Sequence, residues 1–327
     1  MRSSRTCVIS VSYRGAADTA ACVRSLLAST VPVEIVVVDT TPGDPKLQVA
    51  LEFAPQVTLI RASENVGFGR GNNIGIEWAL IHTGCEFIFC LNNDAVIYPD
   101  SIEKLEHAMA VQLDVGIMVP RIAYLDDPSL LWYGGGEMDW RRASAFTPGM
   151  NQSVDATLSL TERDVTFATG CALFVRRRVL QEIGAFDSRY FMYEEDVELC
   201  VRANQHGIRI RYLPASTVLH RVQGSSRTGD TDRNDFWSTK NPRLAFYAFH
   251  VIRNRLLTAR LHARGRNLLT VMIFFPLFLI RRAVPFIRGN RFDAVIAMFK
   301  GVVDFWRTSG AIAPAANEHR EDGAKRR

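Results

Sequence analysis

Four short apolar runs, at residues 7–11, 33–38, 57–60 and 87–91, alternate with helix-length stretches at 16–28, 46–53 and 72–81 that each carry one apolar face. That alternation constrains the fold more than any other feature of the chain. A strand, a crossover helix and a second strand close into a parallel βαβ unit. Ile35-Val36-Val37-Val38-Asp39 and Phe87-Ile88-Phe89-Cys90-Leu91 are continuously apolar, as strands covered on both faces must be. The expected fold class is therefore α/β: a doubly wound, mainly parallel sheet flanked by helices. Sheets of this kind collect ligands at the carboxyl ends of their strands.

Beyond Asp94 the alternation breaks. Residues 124–162 are rich in Gly, Asp, Pro and Ser and predict loops and a hairpin. A strand is expected near 167–175 and a helix from Arg176. A second helix should open at Tyr193-Glu194-Glu195-Asp196-Val197-Glu198 and end near Gly207, followed by strands at 209–214 and 216–221. A polar, Gly- and Ser-rich linker at 224–235 divides this part, 1–235, from a basic helical extension at 236–315. Residues 316–327 predict a flexible tail.

Composition decides what that extension is. With 47% hydrophobic and 22% charged residues, a chain of 327 residues is globular rather than disordered or fibrous. The net charge of +5 is concentrated, because residues 243–291 hold ten arginines and no Asp or Glu. An uncharged run of 13 residues at 268–280 lies inside that block, which favours an anionic membrane surface over nucleic acid as partner. A bilayer span needs about 20 apolar residues, so the run predicts an interfacial or buried helix rather than a transmembrane one. Six cysteines without C-x-x-C spacing, and a polar start without an apolar leader run, predict a reducing, cytoplasmic compartment.

Four strand-end features are candidates for chemistry. Asp39 closes the second strand, with Ser12 and Tyr13 closing the first; an acid there accepts hydrogen bonds from a base or ribose, or simply forms a turn. Asn65-Val66-Gly67-Phe68-Gly69-Arg70-Gly71-Asn72-Asn73 is a glycine-rich turn entering a helix, suited to a phosphate or sugar but lacking a clean G-x-G-x-x-G register. Asn92-Asn93-Asp94 ends a very apolar strand, where a carboxylate can hold Mg²⁺ or Mn²⁺ on a diphosphate. Glu194, Glu195 and Asp196 follow the aromatic run 190–193. Acids at a helix start are favoured by the macrodipole, and Glu198 can pair with Arg202, so a purely structural role is available. Aromatic neighbours and mutual repulsion can equally raise a carboxylate toward the range of a general base.

In this order, VSYRG, VVVDTT, NVGFGRGNNIG, LNNDA, the segment from ATGCALFV to the EEDVELCVRANQHG helix, and LHR resemble family 2 glycosyltransferases of the GT-A fold. The resemblance covers residues 5–222 and is greatest to a bacterial rhamnosyltransferase-like branch. It implies nucleotide-sugar binding by residues 1–123, and acceptor binding and catalysis by residues 124–223. Ser12, Tyr13 and Asp39 would meet the nucleoside; Asn65, Gly67, Asn72, Asn92 and Asn93 would line the donor pocket. Asp94 would bind a divalent cation, Mg²⁺ or Mn²⁺, and His220 would complete its site. Asp196 matches the family's catalytic base, and Gly170, Glu194 and Glu195 would lie on the acceptor side. The D-x-D signature of the fold departs here, because Asn92 stands where its first acid is expected.

The reaction so implied inverts the anomeric centre, moving a sugar, rhamnose by branch resemblance, from a nucleoside-diphosphate sugar to a lipid-linked or cell-envelope glycan acceptor. The enzyme would work on the inner face of the cell membrane. Two alternatives from other classes are a nucleotidyltransferase making nucleotide sugars and a non-catalytic glycan-binding protein of the membrane surface. The first should open with a Gly-, Arg- and Lys-rich phosphate loop after the first strand, where this chain has only Ser12-Tyr13-Arg14-Gly15.

Overall fold

A computed structural model describes residues 4–222 and 236–309. The first half follows the expected alternation: β1 (Thr6–Ser12), α1 (Ala16–Leu27), β2 (Val33–Asp39), α2 (Lys46–Ala50), β3 (Thr58–Arg61), α3 (Phe68–His82) and β4 (Phe87–Leu91). β1 pairs in parallel with β2 and β4, and β2 pairs in parallel with β3. All four carboxyl ends therefore share one edge. β1, β2 and β4 carry the core, with Ile9, Val36 and Phe89 inaccessible to solvent, while β3 is half-buried.

The glycine-rich segment owes much of its composition to packing. A Cβ on Gly75 would stand 2.4 Å from Ile9 Cγ2, and one on Gly71 2.7 Å from Val11 Cγ1, so α3 lies directly on β1 only because these positions are bare. This sets the height of the α3 N-terminus over the sheet edge.

The second half adds β5 (Ala95–Ile97), α4 (Ser101–Val111), β6 (Val115–Tyr124), β7 (Leu131–Tyr133), β8 (Glu137–Asp139), β9 (Ser144–Phe146), α5 (Thr157–Leu160), β10 (Arg163–Val165), β11 (Ala172–Arg176), α6 (Arg177–Ile183), α7 (Glu195–Gln205) and β12 (Arg209–His220). These strands extend the same sheet, in the order β10-β12-β6-β11-β4-β1-β2-β3. β11 inserts antiparallel between β4 and β6, while β12 runs parallel to β6. β8 and β9 form the expected hairpin.

Three expectations need correction. The strands read at 209–214 and 216–221 are one strand, β12, whose register shifts between Leu213 and Thr217, around Pro214. The strand expected at 167–175 begins at Ala172, because Thr169 and Gly170 form a turn that serves the site instead. The stretch after Asp94 also holds an eleven-residue helix, α4, and a ten-residue strand, β6, neither of which was anticipated. The linker at 224–235 and the tail at 316–327 lie outside the described residues.

Three helices follow: α8 (Leu244–His262), α9 (Gly265–Arg288) and α10 (Phe292–Ser309). α8 is largely buried, with Ala248, Ile252 and Asn254 wholly enclosed. α9 differs from the expectation, because it continues on both sides of the 13-residue run for 24 residues, about 36 Å at 1.5 Å per residue. Its most apolar 18-residue window has a mean hydropathy of 1.8, so by length and composition it is long enough to cross a membrane. The argument against a span from a short run therefore falls, and so does burial. Leu269, Met272, Ile273, Leu277 and Ile280 of α9 are exposed, as are Phe292, Ile296, Phe299 and Trp306 of α10. Not all the arginines are free for an anionic surface, since Arg253 pairs with Asp304, Arg255 with Glu194 and Arg291 with Asp293.

Candidate active site

The sheet brings the donor-side candidates together. Ser12 and Asp39 are register partners at the carboxyl ends of β1 and β2, and Thr40 N donates to Ser12 O at 2.9 Å. Asp39 is 2% exposed, and its Oδ1 accepts from Thr41 N at 2.9 Å, a local turn of the kind Asp favours. Ser12 Oγ shares a hydrogen bond with Thr19 Oγ1 at 2.8 Å. Tyr13 is half-buried, with the Arg14 guanidinium 5.2 Å from its ring centre. Asn93 reaches across from β4 to donate to Thr19 Oγ1 at 3.0 Å, tying the start of α1 to the Asn92–Asp94 turn.

The α3 entrance is arranged differently. Asn65 Oδ1 accepts from Gly67 N at 3.1 Å, and Gly67 takes φ +80°, a conformation that suits glycine. A Cβ there would meet Phe191 O at 2.0 Å, and Phe68 N donates to that same carbonyl at 3.0 Å. Gly67 thus brings α3 against the loop before α7. Asn72 is buried and bonded to Phe68 O within its own helix.

Asp94 and His220 meet although 126 residues separate them, because β5 pairs antiparallel with β12 and sets Ala95 opposite His220. His220 Nε2 lies 3.0 Å from Asp94 Oδ1 and 3.3 Å from Asn92 Nδ2. A carboxylate only accepts, so in this arrangement Nε2 carries the proton toward Asp94, and that proton must leave before Nε2 could ligate a cation. The Trp132 ring stands edge-on to the imidazole at 4.6 Å between centres. Asn92 Oδ1 is buried with no hydrogen-bond partner. A buried carbonyl oxygen without a donor, beside a carboxylate and an imidazole, is a donor set that suits a hard divalent cation. Among the described residues no cluster of three or more His, Cys, Asp or Glu exists, so the chain alone could fill only part of an octahedral shell.

The Thr169-Gly170-Cys171 turn joins this pair to the acidic loop. Cys171 O accepts from Asn92 N at 2.8 Å, while Gly170 N donates to Asp196 Oδ2 at 2.8 Å. A Cβ on Gly170 would lie 3.0 Å from the Phe68 ring and 3.4 Å from Asp196 Cβ, which is why a glycine stands there. Asp94 and Asp196 therefore flank one three-residue turn.

The adjacent acids have separate fates. Asp196 is half-buried and reachable; Glu195 is 4% exposed, with Oε2 unpartnered. Burial, and then the Asp196 charge, hold the Glu195 carboxyl well above its ordinary pKa. Burial pushes Asp196 up to about 6, the Gly170 N–H pulling down and the Glu194 charge pushing up. An accessible carboxylate poised just below neutral pH is suited to accept a proton from a hydroxyl.

Glu194 does not face an acceptor as the sequence implied. Its carboxylate is buried, accepting from Arg255 Nε at 2.8 Å and from Ser144 Oγ at 2.7 Å. Glu198 pairs with Arg202 as expected and also with His262 Nε2 at 2.9 Å; although burial opposes ionisation, these partners hold its pKa below the ordinary value. Tyr193 and Glu194 both adopt φ 68°, left-handed backbone that costs roughly 1–2 kcal/mol at a residue with a Cβ. Sequence reasoning missed Ser144, Asn254 and Arg255, which hold this loop, and His262, which holds α7 through Glu198. The one signal was the arginine block without acids, since a buried arginine must find its carboxylate elsewhere.

Comparison with known proteins agrees with this geometry. A profile described as "Glycosyltransferase like family 2" matches residues 5–247. An N-acetylglucosaminyl-diphospho-decaprenol L-rhamnosyltransferase of Mycobacterium tuberculosis is 30% identical over 213 residues, 59% of this chain and 68% of that protein. Among solved structures, GalNAc-T7 with UDP, GalNAc and Mn²⁺ aligns with a TM-score of 0.57 at 16% identity, over 79% of this chain; the chain spans about half, 48%, of that one. The mannosyltransferase PcManGT of Pyrobaculum calidifontis, with GDP-Man and Mn²⁺, aligns with a TM-score of 0.53 at 15% identity, over 95% of this chain and 77% of that one. The fold is the GT-A glycosyltransferase fold. The chain belongs to glycosyltransferase family 2 and is an enzyme of that class, which sets aside the nucleotidyltransferase and glycan-binding alternatives.

Proposed function

We propose that this enzyme transfers a sugar from a nucleoside-diphosphate sugar to a hydroxyl of a polyprenyl-linked or cell-envelope glycan acceptor, with inversion at the anomeric carbon. The observation that carries the reading is the half-buried Asp196 carboxylate, raised toward neutral pH and one turn away from the Asp94–His220 pair. Rhamnose as the sugar and a decaprenyl diphosphate acceptor take their support from the Mycobacterium tuberculosis relative.

In this reading Ser12, Tyr13, Asp39 and Asn93 shape the nucleoside end of the donor site. Asn65 and Gly67 set its wall at the α3 entrance, with Asn72 buried behind them. Asp94 and His220, with the Asn92 carbonyl oxygen, would hold Mg²⁺ or Mn²⁺. When bound, the cation supplies charge neutralisation for the departing diphosphate. Asp196 takes the proton of the acceptor hydroxyl as its oxygen bonds to C1 of the sugar. The bond from C1 to the diphosphate oxygen breaks, and its electron pair leaves with the nucleotide. The Gly170 N–H, bonded to Oδ2, fixes the carboxylate so that its accepting edge stays turned to the acceptor. Glu195, buried, packs near Gly69 and holds the floor of the site.

A thermal-shift panel of nucleoside diphosphates and nucleotide sugars, each with Mn²⁺ or EDTA, tests the donor reading. Selective binding at 100 times Kd stabilises the folded chain by about 2.7 kcal/mol. One nucleotide sugar should raise Tm above the rest; a flat panel at millimolar ligand would sink the proposal.

The exposed apolar rows of α9 and α10 and the exposed Arg264, Arg266, Arg281 and Arg288 support a cytoplasmic enzyme seated at the inner membrane surface, near a lipid-linked acceptor. Each basic residue near an anionic leaflet contributes about 1 kcal/mol. The chain should co-float with anionic liposomes at low salt and less with neutral ones. Failure to float with either removes the membrane reading.

A further inference from the structure

The loop that delivers Asp196 is held from outside the segment the family profile matches, by consecutive turns of α8. Asn254, with no exposed surface, donates through Nδ2 to Met192 O at 3.0 Å and to Tyr193 O at 2.8 Å. These carbonyls belong to the left-handed turn, where neither strand nor helix supplies a donor. Arg255 Nε bonds the Glu194 carboxylate at 2.8 Å, and its guanidinium lies 5.0 Å from the Phe278 ring centre. Thr258 Oγ1 shares a hydrogen bond with Tyr190 OH at 2.8 Å, and Arg253 Nη1 donates to Arg189 O at 3.0 Å. Glu194 makes no side-chain cap for α7, so its carboxylate serves α8 and the Ser144 hydroxyl instead of its own helix.

We propose that Asn254 and Arg255 are positioning residues for sugar transfer, fixing the loop 190–195 in the turn that aims the Asp196 carboxylate at the acceptor; this rests on Asp196 being the base. Two successive non-glycine residues in left-handed backbone persist only where the surroundings over-determine them. α8 does so from three sides, with Asn254 on the turn carbonyls, Arg255 on the Glu194 carboxylate and Thr258 on the Tyr190 hydroxyl. Asp196 is two residues from Glu194, so relaxation of the turn moves the base, while the nucleoside end of the donor site lies on β1, β2 and β4 and its α3 wall meets the loop at Phe191, ahead of the two carbonyls that Asn254 holds.

The test compares Asn254→Ala, Arg255→Met, Arg255→Gln and Arg255→Lys in the full-length chain, with Asp196→Asn as reference. Single-turnover transfer, donor Kd and Tm are measured for each. A displacement of ~1 Å away from the chemistry can cost ~10²-fold. Asn254→Ala and Arg255→Met should therefore slow transfer by ~10- to 100-fold with donor Kd held within ~2-fold, the signature of an interaction felt only in the transition state. Arg255→Lys, which keeps the charge, should recover part of the rate. If Arg255→Met does not fold, Arg255→Gln, a smaller change that also removes the charge pair with Glu194, decides with Asn254→Ala. Near-native rates in both, while Asp196→Asn has lost turnover, overturn the positioning role alone. Turnover retained by Asp196→Asn overturns the base assignment, and the positioning role with it.

Discussion

Asp196→Asn should leave donor affinity intact and lower turnover by ~10²- to 10⁴-fold, the span typical of losing a general base. The amide keeps the shape of the carboxylate, but its one oxygen can accept from Gly170 N or from Val197 N and not from both, so Tm is measured beside turnover to separate proton transfer from positioning. Glu195→Gln should cost less. Consecutive helical residues point ~100° apart, and Glu195 is the buried member of the pair, its carboxyl pushed well above the ordinary pKa by burial. The wild-type rate should also titrate. A base must be ionised to act, so with a pKa near 6 the rate falls as pH drops through that value, well above the ordinary range for an aspartate. An acid limb near pH 4 would overturn the raised Asp196 carboxyl as the titrating base, and an Asp196→Asn enzyme that turns over normally while Glu195→Gln does not would move the assignment by one residue.

The second large effect is expected at Asp94. Asp94→Ala removes the carboxylate that His220 bonds, and nucleoside diphosphate affinity should no longer differ between Mn²⁺ and EDTA. Turnover should fall by ~10²-fold or more, because a cation on the leaving group is worth several kcal/mol of charge stabilisation. Isothermal calorimetry with Mn²⁺ and with EDTA measures the first outcome. If wild-type affinity is the same in both conditions, the metal reading fails here whatever the variant does. The substitution also strips the ion-pair partner from His220, so Tm is measured alongside to separate misfolding from lost metal.

The alternating half of the fold was legible because its signals are local. Continuous apolar runs identify covered strands, and the intervening stretches have helix length, so β1 to β4 could be placed within a residue or two. β6 was not legible. Its apolar run Ile117-Met118-Val119 is short and ends in Pro120, which argues against a central strand, yet the strand is central. The site was partly legible for a related reason. Asp94, Asp196 and His220 stand at element ends where chemistry gathers, but their juxtaposition depends on β5 meeting β12 and on the Thr169–Cys171 turn, contacts that no local pattern encodes. Glu194 looked like a member of a reactive trio. Its anchoring role appears only when Arg255, 61 residues later, is brought to it.

The place of β11 in the sheet bears on how the chain emerges during synthesis. β4 is complete at Leu91, but the strand that covers its outer edge begins at Ala172. Until then a fully apolar strand presents a row of unpaired backbone groups, the kind of edge that recruits other chains. A nascent or truncated polypeptide stopping between β4 and β11 would thus be prone to associate with copies of itself, and residues 92–171 set the length of that vulnerable interval.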